Sequence, residues 1–167
     1  MNAPENDREV LAETPYVRLI HENGWGYIER CNGPAVVIIV PLTVDNELVF
    51  VDQYRIPIGG RVIEFPAGLV GDEAGMEDES LAQAAIRELE EETGYHADVL
   101  TPTFTGPTSA GLSSEQCTIF IATEAIKRSA GGGVDNEAIT THVVPFAEAY
   151  AWLHEQQKAG MAIGMPV

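Results

Sequence analysis

The chain has 167 residues, enough for one domain with a substantial core. Nine Lys and Arg against 26 Asp and Glu leave a formal net charge of −17, which argues against nucleic-acid backbone or an anionic membrane as partner. No apolar run reaches the roughly 18–20 residues of a membrane span, and the start has no signal-peptide core. Cys31 and Cys117 lie far apart, with neither metal-type nor disulfide-framework spacing, so a cytoplasmic protein is expected.

Residues 1–15 are polar and are expected to be flexible. Residues 16–33 read as an N-terminal strand region, with Gly24-Trp25-Gly26-Tyr27 as a turn entering a strand. Residues 35–40, AVVIIV, form a β-branched run that predicts a strand buried on both faces. Asp45-Asn46 is a turn signal, and residues 47–54 are the expected hairpin partner. Residues 61–65 form a short strand stopped by Pro66-Ala67-Gly68.

The clearest helix covers residues 80–93: Ser80 and Gln83 make a capping box, and Gly94 supplies a left-handed stop. Ala82, Ala85, Ile86 and Leu89 share one arc of it and are its expected core face. Residues 117–123 read as another strand, 131–133 (GGG) as a flexible loop, 142–144 as a strand, and 146–158 as a second amphipathic helix. No repeat or linker divides the chain, so residues 1–167 are expected to form a single α/β (α+β) domain.

The acid is concentrated. Ten of the 26 acids lie between Asp72 and Asp98, where Arg87 is the only Lys or Arg. Four glutamates, Glu88, Glu90, Glu91 and Glu92, fill the last turns of the helix, where its dipole disfavours anions by about 0.3–1 kcal/mol each. Glu88 and Glu92 add an i,i+4 repulsion of about 0.2–0.5 kcal/mol, which Arg87 with Glu91 offsets. A solvated acidic face would tolerate such costs. However, Glu88, Glu91 and Glu92 fall within about 100° of one another on a helical wheel, a hard-oxygen set suited to Mg²⁺ or Mn²⁺.

Arg87-Glu88-Leu89-Glu90-Glu91-Glu92-Thr93-Gly94-Tyr95 resembles, at every fixed position, the second half of the Nudix box, R-E-U-x-E-E-x-G-U, with Glu79 at the expected place upstream. Gln53-Tyr54-Arg55, the run from Ile63 to Leu69, Gly111-Leu112-Ser113 and Asp135-Asn136-Glu137 resemble the ADP-ribose/ADP-sugar pyrophosphatase branch of that family. Two departures stand out. Ten residues separate Gly68 from Glu79 where the family has five, making 69–78 a longer loop, and Ala110 occupies the place of a Pro usual in the branch.

The resemblance implies a Nudix fold, a mixed β-sheet sandwiched between helices with an N-terminal antiparallel strand region. It also implies Mg²⁺-dependent hydrolysis (Mn²⁺ as alternative, two or three ions per site) of a nucleoside diphosphate sugar, ADP-ribose first. Other nucleoside diphosphate derivatives (a GDP-sugar, a dinucleotide, coenzyme A) and a catalytically silent nucleotide sensor remain alternatives. By this resemblance Glu88 and Glu92 are metal ligands, with Glu91 and the Ala67 carbonyl sharing, while Arg87 orients Glu91, with Glu79 as a second candidate partner. Glu137 is ligand or base, with Asp135 as the alternative base. Arg55, Trp25, Glu64, Gly68 and Leu112 are candidate substrate contacts. A homodimer built through residues 16–33 is the family expectation, in which Trp25 serves the other subunit.

Overall fold

The computed structural model describes residues 7–33, 35–72, 75–133 and 138–165. Three strands, β1 (Glu9–Glu13), β2 (Val17–Glu22) and β3 (Trp25–Arg30), form a small antiparallel sheet. The supposedly flexible first fifteen residues thus contribute a strand at 9–13, paired with β2 from Glu9↔His21 to Glu13↔Arg18. The turn into β3 is Asn23-Gly24, both at positive φ (51° and 79°), which suits a tight hairpin.

The main sheet is mixed. It contains β4 (Val36–Thr43), β5 (Glu47–Arg55), β6 (Gly60–Glu64), β7 (Ala67–Leu69), β8 (Tyr95–His96), β9 (Val99–Gly106), β10 (Cys117–Lys127), β11 (Thr140–Pro145) and β12 (Ala162–Ile163). Central β4 runs parallel to β10, from Cys117↔Val36 onward, and antiparallel to β7. Its β-branched run is buried at the centre, with Val37, Ile38 and Ile39 at most 6% exposed. Val37 and Ile39 pack with Ala84, Ala85, Leu89 and Phe120 beneath helix α1 (Leu81–Thr93), while Val36 and Ile38 point the other way and floor a cleft.

A second core lies under α2 (Ala149–Lys158), which follows a short 3₁₀ turn at Phe146–Glu148. Phe50, Ile63 and Val144 pack there against Trp152, with the Phe50 and Trp152 rings 5.5 Å apart. Among the described residues, no helix is long and apolar enough to cross a membrane.

Three further sequence expectations change. Pro66 does stop β6, since it has no amide to donate. Its carbonyl turns to the Ile39 amide (2.8 Å), and the chain goes on as β7 instead of remaining a bend. On α1 the buried alanines are Ala84 and Ala85; Ala82 is exposed, because the helix rolls so that Glu92 and Thr93 are also buried.

The triple glycine, expected to be a flexible loop, is docked on the end of α1. The Gly132 and Gly133 amides donate to the Glu92 and Glu91 carbonyls at 2.9 Å. Gly131 (φ 70°) and Gly94 (φ 71°) let two backbones touch: a Cβ on Gly131 would lie 2.3 Å from the Thr93 carbonyl carbon. Gly131→Ala is therefore expected to cost at least the roughly 1–2 kcal/mol of a left-handed non-glycine residue. Urea unfolding of the variant beside Gly111→Ala, where a Cβ meets open space, measures the difference.

Candidate active site

The helix that sequence reading places at 80–93 carries its expected caps. The Ser80 hydroxyl accepts from the Gln83 amide, the Gln83 side chain accepts from the Ser80 amide, and Gly94 closes the helix in the left-handed conformation. These caps fix which residues of the acidic stripe face one another. At its centre is Arg87, whose side chain is 12% exposed. Its Nε and Nη2 each donate to Glu79 at 3.1 Å, Nη1 donates to Glu88 (2.8 Å) and Glu91 (3.1 Å), and Nη2 also reaches the Leu69 carbonyl at 3.0 Å. Asp72, from the longer loop, approaches Nη2 at 3.9 Å. The hydrogen bonds that Arg87 donates to Glu79 come first in raising the guanidinium pKa above its ordinary value. Arg87 thus gathers and orients the acids.

The cations at the end of α1 come from elsewhere in the chain. The helix has no basic residue in its last turn, but Lys127 of β10 donates to the Thr93 carbonyl at 2.6 Å and lies 5.0 Å from the centre of the Tyr95 ring. Desolvation lowers the Lys127 pKa.

In front of the stripe opens a cleft of about 490 Å³. Its acidic wall is Glu88, Glu92, Glu64, Asp72 and Glu115, and its basic groups are Arg30 and Arg55. Gly68 makes the contact between β7 and α1 possible: a Cβ there would fall 1.9 Å from the Glu88 carboxyl carbon, so only glycine leaves room for that carboxylate. Glu92, 4% exposed, accepts from the Ala67 amide at 3.1 Å, which sets the Ala67 backbone against it. Burial pushes the Glu88 carboxyl up to about 7, against the pull of Arg87.

Among the described residues, no three His, Cys, Asp or Glu side chains converge as a ready cation cage; Glu88 and Glu91 lean on Arg87 instead. The donor set nevertheless suits a hard divalent ion: the Glu88 and Glu92 carboxylates line one wall of the cleft beside the Ala67 backbone.

The cleft brings together Arg55, Glu64, Ala67, Gly68, Glu88 and Glu92, with Glu91 and Arg87 joined to them by the guanidinium bonds. Arg55 and Glu64 are bound to each other at 2.8 Å. Trp25 and Leu112 do not line it. Trp25 is 63% exposed and lines a separate hollow of about 410 Å³ with Glu22, Tyr27 and Gly111, while Leu112 uses its carbonyl to accept from the Ile28 amide at 2.8 Å. Asp135 and Glu137 lie outside the described residues. Sequence reading missed Arg30, which is ion-paired with Glu115 inside the cleft, and Asp72. The signal for Arg30 was scarcity: an arginine in a chain with only nine basic residues invites a question about its partner.

The NUDIX domain model matches residues 32–162, most of the chain. The chain belongs to the Nudix family. It is 31% identical over 125 residues to a methanol dehydrogenase activator of Bacillus methanolicus, covering 74% of this chain and 65% of that one. It is 38% identical over 91 residues to an ADP-ribose pyrophosphatase of Bacillus subtilis, covering 54% and 46%. A solved structure described as an ADP compounds hydrolase superposes with a TM-score of 0.69 at 25% identity, covering 89% of this chain and 80% of that one. The chain spans less than two thirds of the length of these curated relatives.

For this Nudix domain the part-buried Glu88 gives a stability test. An ordinary glutamate titrates near 4.5 and Glu88 near 7, so the folded state holds the extra proton between those values. The contribution of Glu88 is then fully present below about pH 4.5 and is lost as pH rises through 7. In EDTA at pH 8, Glu88→Gln is expected to melt a few degrees above the wild type, with the gap closing toward pH 4.5. A lower melting temperature at pH 8 would show that the Arg87 pairing outweighs burial.

Proposed function

We propose that this cleft hydrolyses the diphosphate of a nucleoside diphosphate sugar, ADP-ribose foremost, to AMP and a sugar phosphate, with Mg²⁺ as cofactor and Mn²⁺ as its substitute. One observation carries the reading: oriented carboxylates (Glu88, Glu92) and arginines (Arg30, Arg55) share one cleft, the former suited to cations and the latter to phosphate oxygens. The similarity to an ADP-ribose pyrophosphatase of Bacillus subtilis and to an ADP compounds hydrolase supports the choice of substrate.

Glu88, Glu92, Glu91 and the Ala67 carbonyl would hold the ions, which when bound supply Lewis-acid polarisation of the phosphoryl oxygens and a lowered pKa for bound water. The chain does the rest. Arg87 holds Glu88 and Glu91 against their mutual repulsion, and at about 4 Å each such repulsion is worth about 1–4 kcal/mol between the water and protein-surface limits. Arg55, kept in place by Glu64, and Arg30, kept by Glu115, present N–H groups to phosphate or ribose oxygens. Glu137, with Asp135 as the alternative, accepts a proton from the attacking water. The water oxygen bonds to one phosphorus, the bridging P–O bond breaks, and the second phosphate ester leaves with the electron pair. In a homodimer formed through residues 16–33, Trp25 would stack on the base in the partner's cleft.

The test is a panel of ADP-ribose, ADP-glucose, GDP-mannose, NADH, diadenosine polyphosphates and coenzyme A, assayed for products with Mg²⁺ and with EDTA. ADP-ribose turnover abolished by EDTA is expected. Turnover indifferent to EDTA would sink the metal mechanism, and no turnover of any compound would favour a sensing domain. Glu137→Gln is expected to lower kcat by about 10²–10⁴-fold, the usual contribution of a positioned base; an unchanged kcat removes Glu137 from the reaction.

A further inference from the structure

A helix ends on carbonyls that its own backbone cannot satisfy, and α1 ends where its acids are densest. One short segment of chain meets those carbonyls. The Gly133 and Gly132 amides donate to the Glu91 and Glu92 carbonyls at 2.9 Å. The Lys127 ammonium donates to the Thr93 carbonyl at 2.6 Å, and the Arg128 and Ser129 amides to the Gly94 carbonyl at 2.8 and 3.1 Å. Residues 127–133 thus form a clasp over the helix end, yet none of them is among the described residues that line the cleft.

Lys127, one of only two lysines in the chain, closes the clasp. Its Nζ donates to the Ala130 carbonyl at 3.1 Å as well, so one ammonium ties the helix end to the middle of the segment. The clasp holds the backbone of two acidic residues. The Glu92 carbonyl accepts from Gly132 and, at 3.4 Å, from the Thr141 hydroxyl, while its carboxylate accepts from the Ala67 amide at 3.1 Å. The Glu91 carbonyl is held by Gly133, and its carboxylate by Arg87 at 3.1 Å. Both glutamates are therefore fixed at the main chain and at the side chain. Without the main-chain anchor the last turn would fray, because helix ends open first and the dipole disfavours acids there.

We propose that Lys127 is a positioning residue for the candidate metal ligands: by closing residues 127–133 over the end of α1, it fixes the backbone from which Glu91 and Glu92 reach the site. The proposal rests on the reading of those two glutamates as ligands given above. Charge and positioning predict opposite signs. An ammonium near a cation site repels the cation, so on charge alone the loss of Lys127 tightens metal binding. Positioning weakens it instead, since losing a group that orients metal ligands costs about 10–100-fold in affinity.

The test is Mn²⁺ binding to the metal-free protein, read from the free-ion electron paramagnetic resonance signal well below each variant's melting temperature. The site is defined as the binding that Glu92→Gln removes. Lys127→Met, which keeps the aliphatic stem, is expected to weaken that binding about 10-fold or more. Lys127→Arg, which keeps the charge and can serve both carbonyls, is expected to stay close to the wild type, and Lys158→Met, which removes a charge on α2, to leave it unchanged. In the metal-free protein, Lys127→Met is also expected to speed amide hydrogen exchange at residues 90–94 and 128–133 while α2 is unaffected. Unchanged or tighter Mn²⁺ binding in Lys127→Met, or unchanged exchange at the helix end, would overturn the proposal. If Lys127→Met does not fold, Lys127→Gln is judged by the same criteria. A wild type that binds no Mn²⁺ removable by Glu92→Gln marks a different failure: the metal reading itself is then wrong, and the proposal falls with it.

Discussion

Four carboxylates, Glu79, Glu88, Glu91 and Asp72, surround the Arg87 guanidinium where α1 passes β7, and that one group holds them in place. The helix dipole opposes that arrangement, and so does mutual repulsion. Arg87 accommodates it because its five donors can bridge acids on three sides while its charge stays buried. Lys127, from a different strand, supplies the positive charge that the last turn lacks. Two cations thus support the acidic stripe, Arg87 within it and Lys127 at the helix end, while Glu88 and Glu92 line the cleft.

The sheet determines which way that stripe faces. β4 alternates, Val37 and Ile39 toward α1 and Val36 and Ile38 toward the cleft, so one strand both seats the helix and floors the site. β7 pairs with β4 in the register Val37↔Gly68, which lays a residue without a side chain against the Glu88 carboxylate. A slip of one residue would put Ala67 or Leu69 there and drive a side chain into the acid. Site geometry and core packing are thus one constraint: the hydrophobic register of β4 fixes the polar register of the cleft.

This explains what could be read from the sequence. The limits of α1 were legible because they rest on contacts within three or four residues: Ser80 with Gln83, and Gly94 with Glu90. The motif around Arg87 was legible for the same reason, since a helix puts i, i+1 and i+4 in predictable places. Arg30, Glu115 and Asp72 were not, because β3, the approach to β10 and the longer loop meet the cleft only through the sheet. The docking of the triple glycine escaped for a related reason. Glycine content signals freedom, whereas here the missing side chains let one backbone lie on another, against Thr93 and Gly94. Residues 9–13 looked unstructured because they lie in a polar leader and the strand is exposed throughout, so its order comes from ladder bonds to β2 and not from burial.

The net charge of −17 does not conflict with an anionic substrate, because the field that such a substrate meets is local. Charges farther apart than about 8–10 Å are largely screened at ordinary ionic strength. Within that range, each cleft arginine is already bound to a carboxylate: Arg30 to Glu115 and Arg55 to Glu64. Such pairs add little net charge, but they fix where the remaining N–H groups point, and a diphosphate is recognised by oriented donors. The attraction itself must then come from outside the chain, since Glu88 and Glu92 alone would repel phosphate. On the proposed reading, a cleft that orients arginines with its own acids, and keeps further acids beside them, would need divalent cations before it could hold an anionic substrate.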